Sequence, residues 1–234
     1  MNNVFGLVLA GGVGTRMGNI EKPKQFLHVG SKPIIIHTLE KFVIQNEFEE
    51  IIVLTPKQWI NFTKDVIKKY IPVAEKIVVL EGGSSRNETI MNAISYIEKQ
   101  DKLNEDTIIV THDSVRPFVT SRIIKENIEA AIKYGACDTV IPATDTIVES
   151  ENGESISAVP DRSRLFQGQT PQTFHAKKLR DYYESLSDDE KEILTDACKI
   201  MVIKGETVKL VKGDVSNLKI TYPYDLKVAE SLLQ

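Results

Sequence analysis

The sequence has only two cysteines, Cys137 and Cys198, and they lie far apart in the chain. A disulfide framework or a cysteine zinc site is therefore not expected. Positive charge is not in excess either, because the formal net charge is −4 at pH 7. This argues against a general binder of nucleic acid or of membrane surfaces. No apolar run approaches transmembrane length, and the first residues carry no basic segment of a signal peptide, so we expect a cytoplasmic protein.

Several familiar motifs are also missing. Residues 6–18, "GLVLAGGVGTRMG", form an apolar run followed by a glycine-rich loop. The dinucleotide pattern G-x-G-x-x-G, started at Gly12, fails at Met17, and no Gly-Lys-Ser/Thr triplet of a P-loop follows. The chain contains no Asp-x-Asp pair, the metal motif of many sugar-nucleotide glycosyltransferases. No nucleophile elbow G-x-S-x-G occurs. The glycine loop is therefore of a third kind.

What the chain does contain is a regular alternation of short β-rich runs and amphipathic helical segments. Predicted strands cover 6–11, 51–56, 76–83, 107–112 and 138–143, and predicted helices cover 33–45, 58–70, 86–100 and 121–135. This alternation predicts an α/β fold with a Rossmann-like, mostly parallel sheet and helices on both faces. In such sheets ligands bind beyond the carboxyl ends of the strands. That rule selects the loops at 11–18, 82–89 and 112–117.

The pattern changes after Ala143. Residues 145–159 predict two polar strands joined by Asn152-Gly153, a pair favoured in type I′ hairpin turns. We expect an arm over residues 143–162 that projects from a single domain of residues 1–234 and packs on another subunit. Further on, a capping box at Ser187 predicts a helix over 188–204. A strand over 207–214 and a last helix from Pro223 are expected to follow.

The first selected loop has the features of a phosphate site. Gly11, Gly12 and Gly14 let the backbone approach a ligand closely, and Arg16 adds a forked donor suited to phosphate oxygens. Lys24 follows in the stretch "KPKQ". These residues favour a triphosphate site, although a tight turn with solvated charges remains open.

The other two loops allow similar alternatives. "EGGSSRNET" precedes a helix, whose N-terminus suits an anion or a base edge, but an ordinary capped turn is equally open. Asp113 could hold Mg²⁺ together with phosphate oxygens, or it could simply pair with Arg116. His112 is expected to be structural. Asp196 is expected inside the helix over 188–204, with Cys198 in the core.

In order, the stretches "LAGGVGTRMG", "PKQFL", "GGSSRNET", "HDSVRPF", "QTPQ" and "NLKIT" resemble the cytidylyltransferases that act on small sugar-alcohol phosphates. The resemblance covers essentially the whole chain. Some members act on D-ribitol 5-phosphate for teichoic-acid or capsular polymers, and others act on 2-C-methyl-D-erythritol 4-phosphate for isoprenoids. The latter typically read "HDAARP" and Thr-Asp-Asp/Glu-Ala where this chain has "HDSVRPF" and "TDACKI". These differences favour ribitol phosphate, with CDP-ribitol and pyrophosphate as products, and methylerythritol phosphate as the alternative.

The resemblance also implies roles for individual residues. Arg16 and Lys24 would stabilise charge on the triphosphate, Arg162 and Lys219 would position the acceptor phosphate, and Asp113 would hold Mg²⁺. The nucleotide-binding residues that it implies are Leu9, Ala10, Gly11, Gly12, Gly83, Ser84, Ser85, Arg86, Asn87, Glu88, Thr89, Ser114, Arg116, Thr146 and Thr170. It implies CTP and a sugar-alcohol phosphate as ligands, and a homodimer whose arm brings Thr146 or Arg162 to the neighbouring site.

The implied chemistry agrees with the residues present. An acceptor phosphate monoester has a second pKa of about 6 and is mostly dianionic at neutral pH, so it needs no general base. It does need cations that align two polyanions. A protein that binds CTP without turnover is an alternative of another class, but Arg16 and Lys24 together argue against it. A nicotinamide oxidoreductase is disfavoured because the dinucleotide pattern fails at Met17.

Overall fold

The computed structural model describes residues 3–12, 14–18 and 22–233. The strands in this part of the chain are β1 Val4–Leu9, β2 His28–Val29, β3 Lys32–Pro33, β4 Phe48–Thr55, β5 Ile77–Glu81, β6 Ile108–Asp113, β7 Ala136–Pro142, β8 Phe166–His175 and β9 Lys209–Lys212. The α-helices are α1 Ile34–Val43, α2 Ile60–Tyr70, α3 Arg86–Lys99, α4 Ser121–Tyr134, α5 Ala176–Glu184, α6 Asp188–Glu192, α7 Ala197–Ile203 and α8 Pro223–Leu232.

Seven strands form one sheet in the order β5-β4-β1-β6-β8-β7-β9, and β2 pairs with β3 separately. Within the large sheet β8 is antiparallel to both of its neighbours, β6 and β7, and the other pairs are parallel. Apolar side chains of α1, α2 and α4 pack on one face, and those of α3, α5 and α7 pack on the other. The predicted α/β fold, a mostly parallel sheet covered on both faces, is confirmed.

Strand β8 is absent from the predicted elements because its sequence, "FQGQTPQTFH", is polar and contains a proline. The structure places it between two other strands, with most of its polar groups paired rather than solvated. Thr111 Oγ1 donates to the carbonyl oxygen of Gln172 (2.9 Å), and Asn217 Nδ2 donates to that of Thr170 (2.8 Å). Hydrogen bonding therefore replaces the apolar burial from which strands are normally predicted.

The segment predicted as a two-stranded arm is less regular than expected. Its described pairing is an isolated bridge between Glu149 and Ala158. The type I′ turn is wrong, because Gly153 has a positive φ of 75° but Asn152 does not. Instead, Asn152 Oδ1 accepts hydrogen bonds from the backbone N–H of Glu154 (2.9 Å) and of Ser155 (3.1 Å). The asparagine side chain thus forms the turn, and the exposed flanks have no further strand to pair with among the described residues.

The single helix predicted over 188–204 is also wrong. The capping box at Ser187 is present, but α6 ends at Glu192 and α7 begins at Ala197. Asp196 is the N-cap of α7 rather than an interior residue, because its Oδ1 accepts from the N–H of Lys199 (3.0 Å). Cys198 is buried, as expected. None of the described helices is both long and apolar enough to cross a membrane.

Candidate active site

The three loops selected from the sequence meet around one cavity of about 390 Å³ at the carboxyl ends of the parallel strands. Its lining residues are Leu9, Gly11, Gly12, Gly14, Arg16, Lys24, Gln25, Gly83, Ser84, Ser85, Arg86, Thr89, Asp113, Ser114, Val115 and Lys219. Most of the residues expected to bind nucleotide are therefore brought together. Ala10 is buried beside the cavity at the end of β1.

The glycine loop is fixed at its base and open at its tip. Gln25 Nε2 donates to the carbonyl oxygen of Ala10 (2.7 Å), which holds the start of the loop against the turn carrying Lys24. Gly12 is exposed, and nothing lies within 4 Å of a Cβ added there. The guanidinium of Arg16 lies 5.7 Å from the ring centroid of Tyr222, a cation–π distance. The described glycines of the loop and the side chain of Arg16 thus line the cavity.

The second loop is shaped by its own side chains. Ser85 caps α3 by accepting from the N–H of Glu88 (3.1 Å), and the Glu88 carboxylate accepts from the N–H of Ser84 (2.9 Å) and from its hydroxyl. These hydrogen bonds from Ser84 lower the pKa of Glu88. A Cβ at Gly83 would lie 2.5 Å from Cβ of Glu88, so the loop requires glycine. Glu88 therefore serves the loop rather than the cavity, and Asn87 is buried outside the cavity lining.

Asp113 ends β6 and is surrounded by cations. Its Oδ1 pairs with Arg86, its Oδ2 lies 2.9 Å from Nζ of Lys219, and Nε of Arg116 lies 3.7 Å from Oδ2. Burial by itself would raise the pKa of Asp113, but the charges of Arg86, Lys219 and Arg116 outweigh it and hold the pKa well below its usual range. Asp113 is therefore ionised. The pairing with Arg116, left open by the sequence, is present but is the longest of the three.

Lys24 is the most unusual cation in the cavity. It is only 7% exposed, and no carboxylate of a described residue lies within ion-pair distance of it. Burial, followed by the charges of Lys219 and Arg16, lowers its pKa to about 8. A buried cation without a counter-ion is unfavourable in the empty protein and becomes favourable when an anion arrives.

Two predicted binding residues lie behind the cavity wall. Arg116 NH1 donates to the carbonyl oxygen of Asn217 (2.8 Å), which anchors the loop that carries Lys219. Thr170 Oγ1 accepts from the N–H of Asp113 (3.1 Å) and contacts Nδ1 of the buried His112 (2.9 Å). Burial lowers the pKa of His112 to about 4, so its ring is neutral. Arg116, Thr170 and His112 therefore hold Asp113 in place, and the structural role expected for His112 agrees with these contacts.

Two other predicted residues are not brought into the cavity by this chain. Thr146 and Arg162 are exposed, and Arg162 NH1 donates to the carbonyl oxygen of Thr144 (2.8 Å) within the same segment. Conversely, Gln25, Asn217 and Tyr222 were not selected from the sequence. Only Gln25 and Asn217 fall in the quoted stretches, "PKQFL" and "NLKIT", and nothing local marks Tyr222 as a partner of Arg16.

The geometry describes a cationic cavity on an acidic protein. Arg16, Lys24, Arg86 and Lys219 line it together with one described carboxylate, Asp113. The N-terminus of α3, whose residues Ser85 and Arg86 line the cavity, adds further positive potential. Such a site suits a polyanion with several phosphate groups.

Comparisons with known proteins agree with this description. A sequence model of the family described as 2-C-methyl-D-erythritol 4-phosphate cytidylyltransferase (IspD) matches residues 4–234. The solved 4-diphosphocytidyl-2C-methyl-D-erythritol synthase of Anaerococcus prevotii DSM 20548 is 26% identical, with a TM-score of 0.79 over 100% of this chain and 96% of that chain.

Two further solved structures carry the name 2-C-methyl-D-erythritol 4-phosphate cytidylyltransferase. The enzyme of Thermus thermophilus is 28% identical, with a TM-score of 0.70 over 99% of this chain and 98% of that one. The enzyme of Francisella tularensis is 25% identical, with a TM-score of 0.80 over 98% and 99% of the two chains. Since the family model spans almost the entire sequence, this chain belongs to the IspD family of cytidylyltransferases.

Proposed function

We propose that this protein transfers the cytidylyl group of CTP to the phosphate of a small sugar-alcohol phosphate and releases pyrophosphate. The observation that carries the proposal is the buried cation of Lys24, with no carboxylate of a described residue in ion-pair range, beside Arg16, Arg86 and Lys219 in one cavity. A triphosphate supplies the negative charge that balances these four side chains.

The comparisons favour 2-C-methyl-D-erythritol 4-phosphate as the acceptor, since the family model and two of the solved neighbours carry that name. They give no support to ribitol phosphate or to a role in teichoic-acid synthesis. D-ribitol 5-phosphate remains a second candidate because two stretches, "HDSVRPF" and "TDACKI", differ from the methylerythritol pattern. Both stretches include a residue in a restricted environment. Val115 of "HDSVRPF" lines the cavity, and Ala197 of "TDACKI" is fully buried.

The reaction requires positioning and charge neutralisation more than proton transfer. An oxygen of the acceptor phosphate attacks the α-phosphorus of CTP, and the bond to the β-phosphate oxygen breaks, so pyrophosphate leaves with the bonding electron pair. Lys24 and Arg16 bind the triphosphate and offset its charge. Lys219 binds the acceptor phosphate and, with Arg86, reduces the repulsion between the two anions.

Mg²⁺ is the cofactor that we propose, and Asp113 is the residue that would hold it. Asp113 supplies a carboxylate of the kind that Mg²⁺ prefers, and phosphate oxygens and water normally complete its shell. Both oxygens of Asp113 are already paired, with Arg86 and Lys219, so one pairing must open first. Lys219, which is 40% exposed, is free to turn towards an acceptor phosphate. When bound, the metal neutralises and orients the triphosphate.

We also propose a homodimer formed through the segment 143–162 of a single-domain subunit. Several large apolar side chains of this segment are exposed: Ile147, Val148, Ile156 and Val159. Several large apolar side chains exposed within one short segment are typical of an interface. Thr146 and Arg162, which do not reach the cavity of their own chain, would then contribute to the cavity of the partner.

The test is pyrophosphate release from CTP and Mg²⁺ with each acceptor in parallel. We expect turnover with one of the two acceptors and none with CTP alone. Turnover on the methylerythritol compound alone supports the first candidate, and turnover on ribitol 5-phosphate alone supports the second. Tight CTP binding without release on either acceptor would overturn the proposed activity.

A further inference from the structure

A row of polar side chains crosses three strands beside the cavity. Thr111 on β6 pairs with Gln172 on β8, which pairs with Asp138 on β7, so the three side chains lie on one face of the sheet. Asp113 follows Thr111 by two residues and lies on that same face. Adjacent strands are about 4.8 Å apart, so Asp138 lies about 10 Å across the sheet from the β6 strand that ends at Asp113.

Two carboxylates converge on one buried amide in this row. Gln172 Nε2 donates to Oδ1 of Asp138 (3.1 Å) and to Oδ2 of Asp196 (3.2 Å). Gln172 is only 3% exposed, and its Oε1 has no hydrogen-bond partner among the described residues. A buried acceptor without a donor is unfavourable. The cluster therefore has more acceptors than the described part of the protein has donors for them.

The cluster opens to the outside past a glycine. Gly168 is exposed, and a Cβ added there would lie 3.6 Å from Oδ2 of Asp138. No side chain of a described residue donates a hydrogen bond to this Oδ2. Burial, and the charge of Asp196, raise the pKa of Asp138 to about 6, although the hydrogen bond from Gln172 acts against them. The carboxylate is thus poorly solvated and accessible through the gap at Gly168.

Arg86 connects this cluster with the cavity. Its guanidinium pairs with Asp113. Its positive charge also acts on Asp138, where it opposes the rise in pKa caused by burial. Along the sheet the order is therefore cations at Lys219 and Arg86, followed by carboxylates at Asp138 and Asp196. A ligand with a phosphate at one end and hydroxyl groups at the other matches this order in one orientation only, because the carboxylates repel the phosphate.

We propose that Asp138, Asp196 and Gln172 form a subsite for hydroxyl groups of the acceptor's polyol chain, entered past Gly168. Hydroxyl groups donate to Oδ2 of Asp138, which receives no hydrogen bond from a described side chain, while the amide of Gln172 holds the carboxylates of Asp138 and Asp196 together behind it. The subsite fixes how far the polyol extends from its phosphate. This inference rests on the proposed function, since it assigns the far end of the same acceptor.

The test measures the KM for the acceptor and the KM for CTP separately in two variants. Gly168→Ala puts a methyl group over Oδ2 of Asp138 at an ordinary contact distance, and Asp138→Asn removes the charge at nearly constant size. We expect each to raise the acceptor KM about tenfold or more and to leave the CTP KM nearly unchanged. Asp65→Asn, an exposed carboxylate on α2, is the matched control and should change neither constant.

The contrary outcomes are distinct. An unchanged acceptor KM in both variants, with normal wild-type turnover, would overturn the subsite and leave the proposed function standing. A changed Mg²⁺ requirement with an unchanged acceptor KM would overturn it in favour of a cation at the two carboxylates. No wild-type turnover on either acceptor would overturn the proposed function, and the subsite with it. Thermal unfolding of each variant checks that a raised KM does not reflect loss of fold.

Discussion

Lys219 and Asp113 form an ion pair, with Nζ of the lysine 2.9 Å from Oδ2 of the carboxylate. The pair joins the loop before α8 to the end of the central strand β6. Because Arg86 and Arg116 contact the same carboxylate, one negative charge is shared among three positive ones. The empty cavity therefore has unbalanced positive charge, which a bound polyanion would neutralise.

Replacing Lys24 with methionine should separate catalysis from stability. Lys24→Met removes a buried cation but keeps a long apolar side chain, so thermal stability of the empty protein should not fall. Turnover should fall by about 10²–10³, because a preorganised cation no longer faces the triphosphate. Thermal unfolding and pyrophosphate release measure the two effects. Near-normal turnover would contradict the assigned role.

The pH profile should report the lowered pKa of Lys24, about 8 in the empty protein. We expect kcat/KM for CTP to decline as pH rises through this value, because a neutral amine does not offset triphosphate charge. The stability effect has the opposite sign. Between pH 8 and 10.5 the unfolded chain binds more protons at this residue than the folded one, so Lys24 makes the empty protein more stable as pH rises.

Lys24→Arg is the control for that profile, since a guanidinium stays protonated throughout the range. Its activity, even if lower, should show no decline near pH 8. An unchanged decline in this variant would assign the titration to another group.

Asp113→Asn should destabilise the fold and alter metal dependence. Three cations would lose their shared carboxylate, and breaking a fully buried pair costs about 3–5 kcal/mol. The loss should be smaller here because Lys219 is 40% exposed. Urea unfolding of the variant and of Asp65→Asn measures it. The variant should also need more Mg²⁺ for half-maximal turnover, and an unchanged requirement would contradict the metal role of Asp113.

The same carboxylate predicts an acid-sensitive contribution to stability. Because the folded pKa of Asp113 is depressed, its contribution is complete above the unfolded value of about 3.9 and declines as pH falls below it. Asp113→Asn should lack this part of the acid destabilisation. Unfolding free energies of both proteins between pH 3 and pH 7 test this difference, and parallel curves would contradict it.

Two glycines of the loops that we assign to the nucleotide should respond differently to the same substitution. Gly83→Ala places a Cβ 2.5 Å from Cβ of Glu88, so the capped turn must shift, with a stability loss of about 1–3 kcal/mol. Gly12→Ala meets nothing within 4 Å and should leave the melting temperature unchanged. It should still raise the CTP KM, because the methyl group keeps the ligand from the backbone. Equal melting temperatures for the two variants would contradict the crowding at Gly83.

Much of the fold was predictable because the parallel strands and their helices have strong apolar patterns. The loops at Gly11, Gly83 and Asp113 could be placed at one site because each follows a strand of a predicted parallel sheet, without any knowledge of contacts. Strand β8 could not be predicted, because most of its buried side chains are polar and their partners, such as Asn217 for Gln169, are distant in sequence. The break before α7 was missed because Asp196 caps a helix inside a segment with continuous helical character.

The sequence predicted most of the residues that line the site, but it did not predict which side chains they contact. Arg86 was expected to contact nucleotide. The structure shows that it pairs with Asp113 and that its charge acts to lower the pKa of Asp138. The contact between Arg16 and Tyr222 joins residues about two hundred positions apart, and no local pattern encodes it. Long-range pairings of this kind depend on the completed fold.

The position of β8 has a consequence for how substrate choice can change. The loops that we assign to the nucleotide follow β1, β5 and β6. The subsite that we assign to the acceptor lies on β7, β8 and α7, and the two halves meet at Arg86 and Asp113. On this assignment, residues of the acceptor half other than these shared ones can be exchanged with little effect on the loops of the other half. In a fold divided in this way, the acceptor can change between related enzymes while CTP remains the donor. Family membership therefore says more about the donor than about the acceptor.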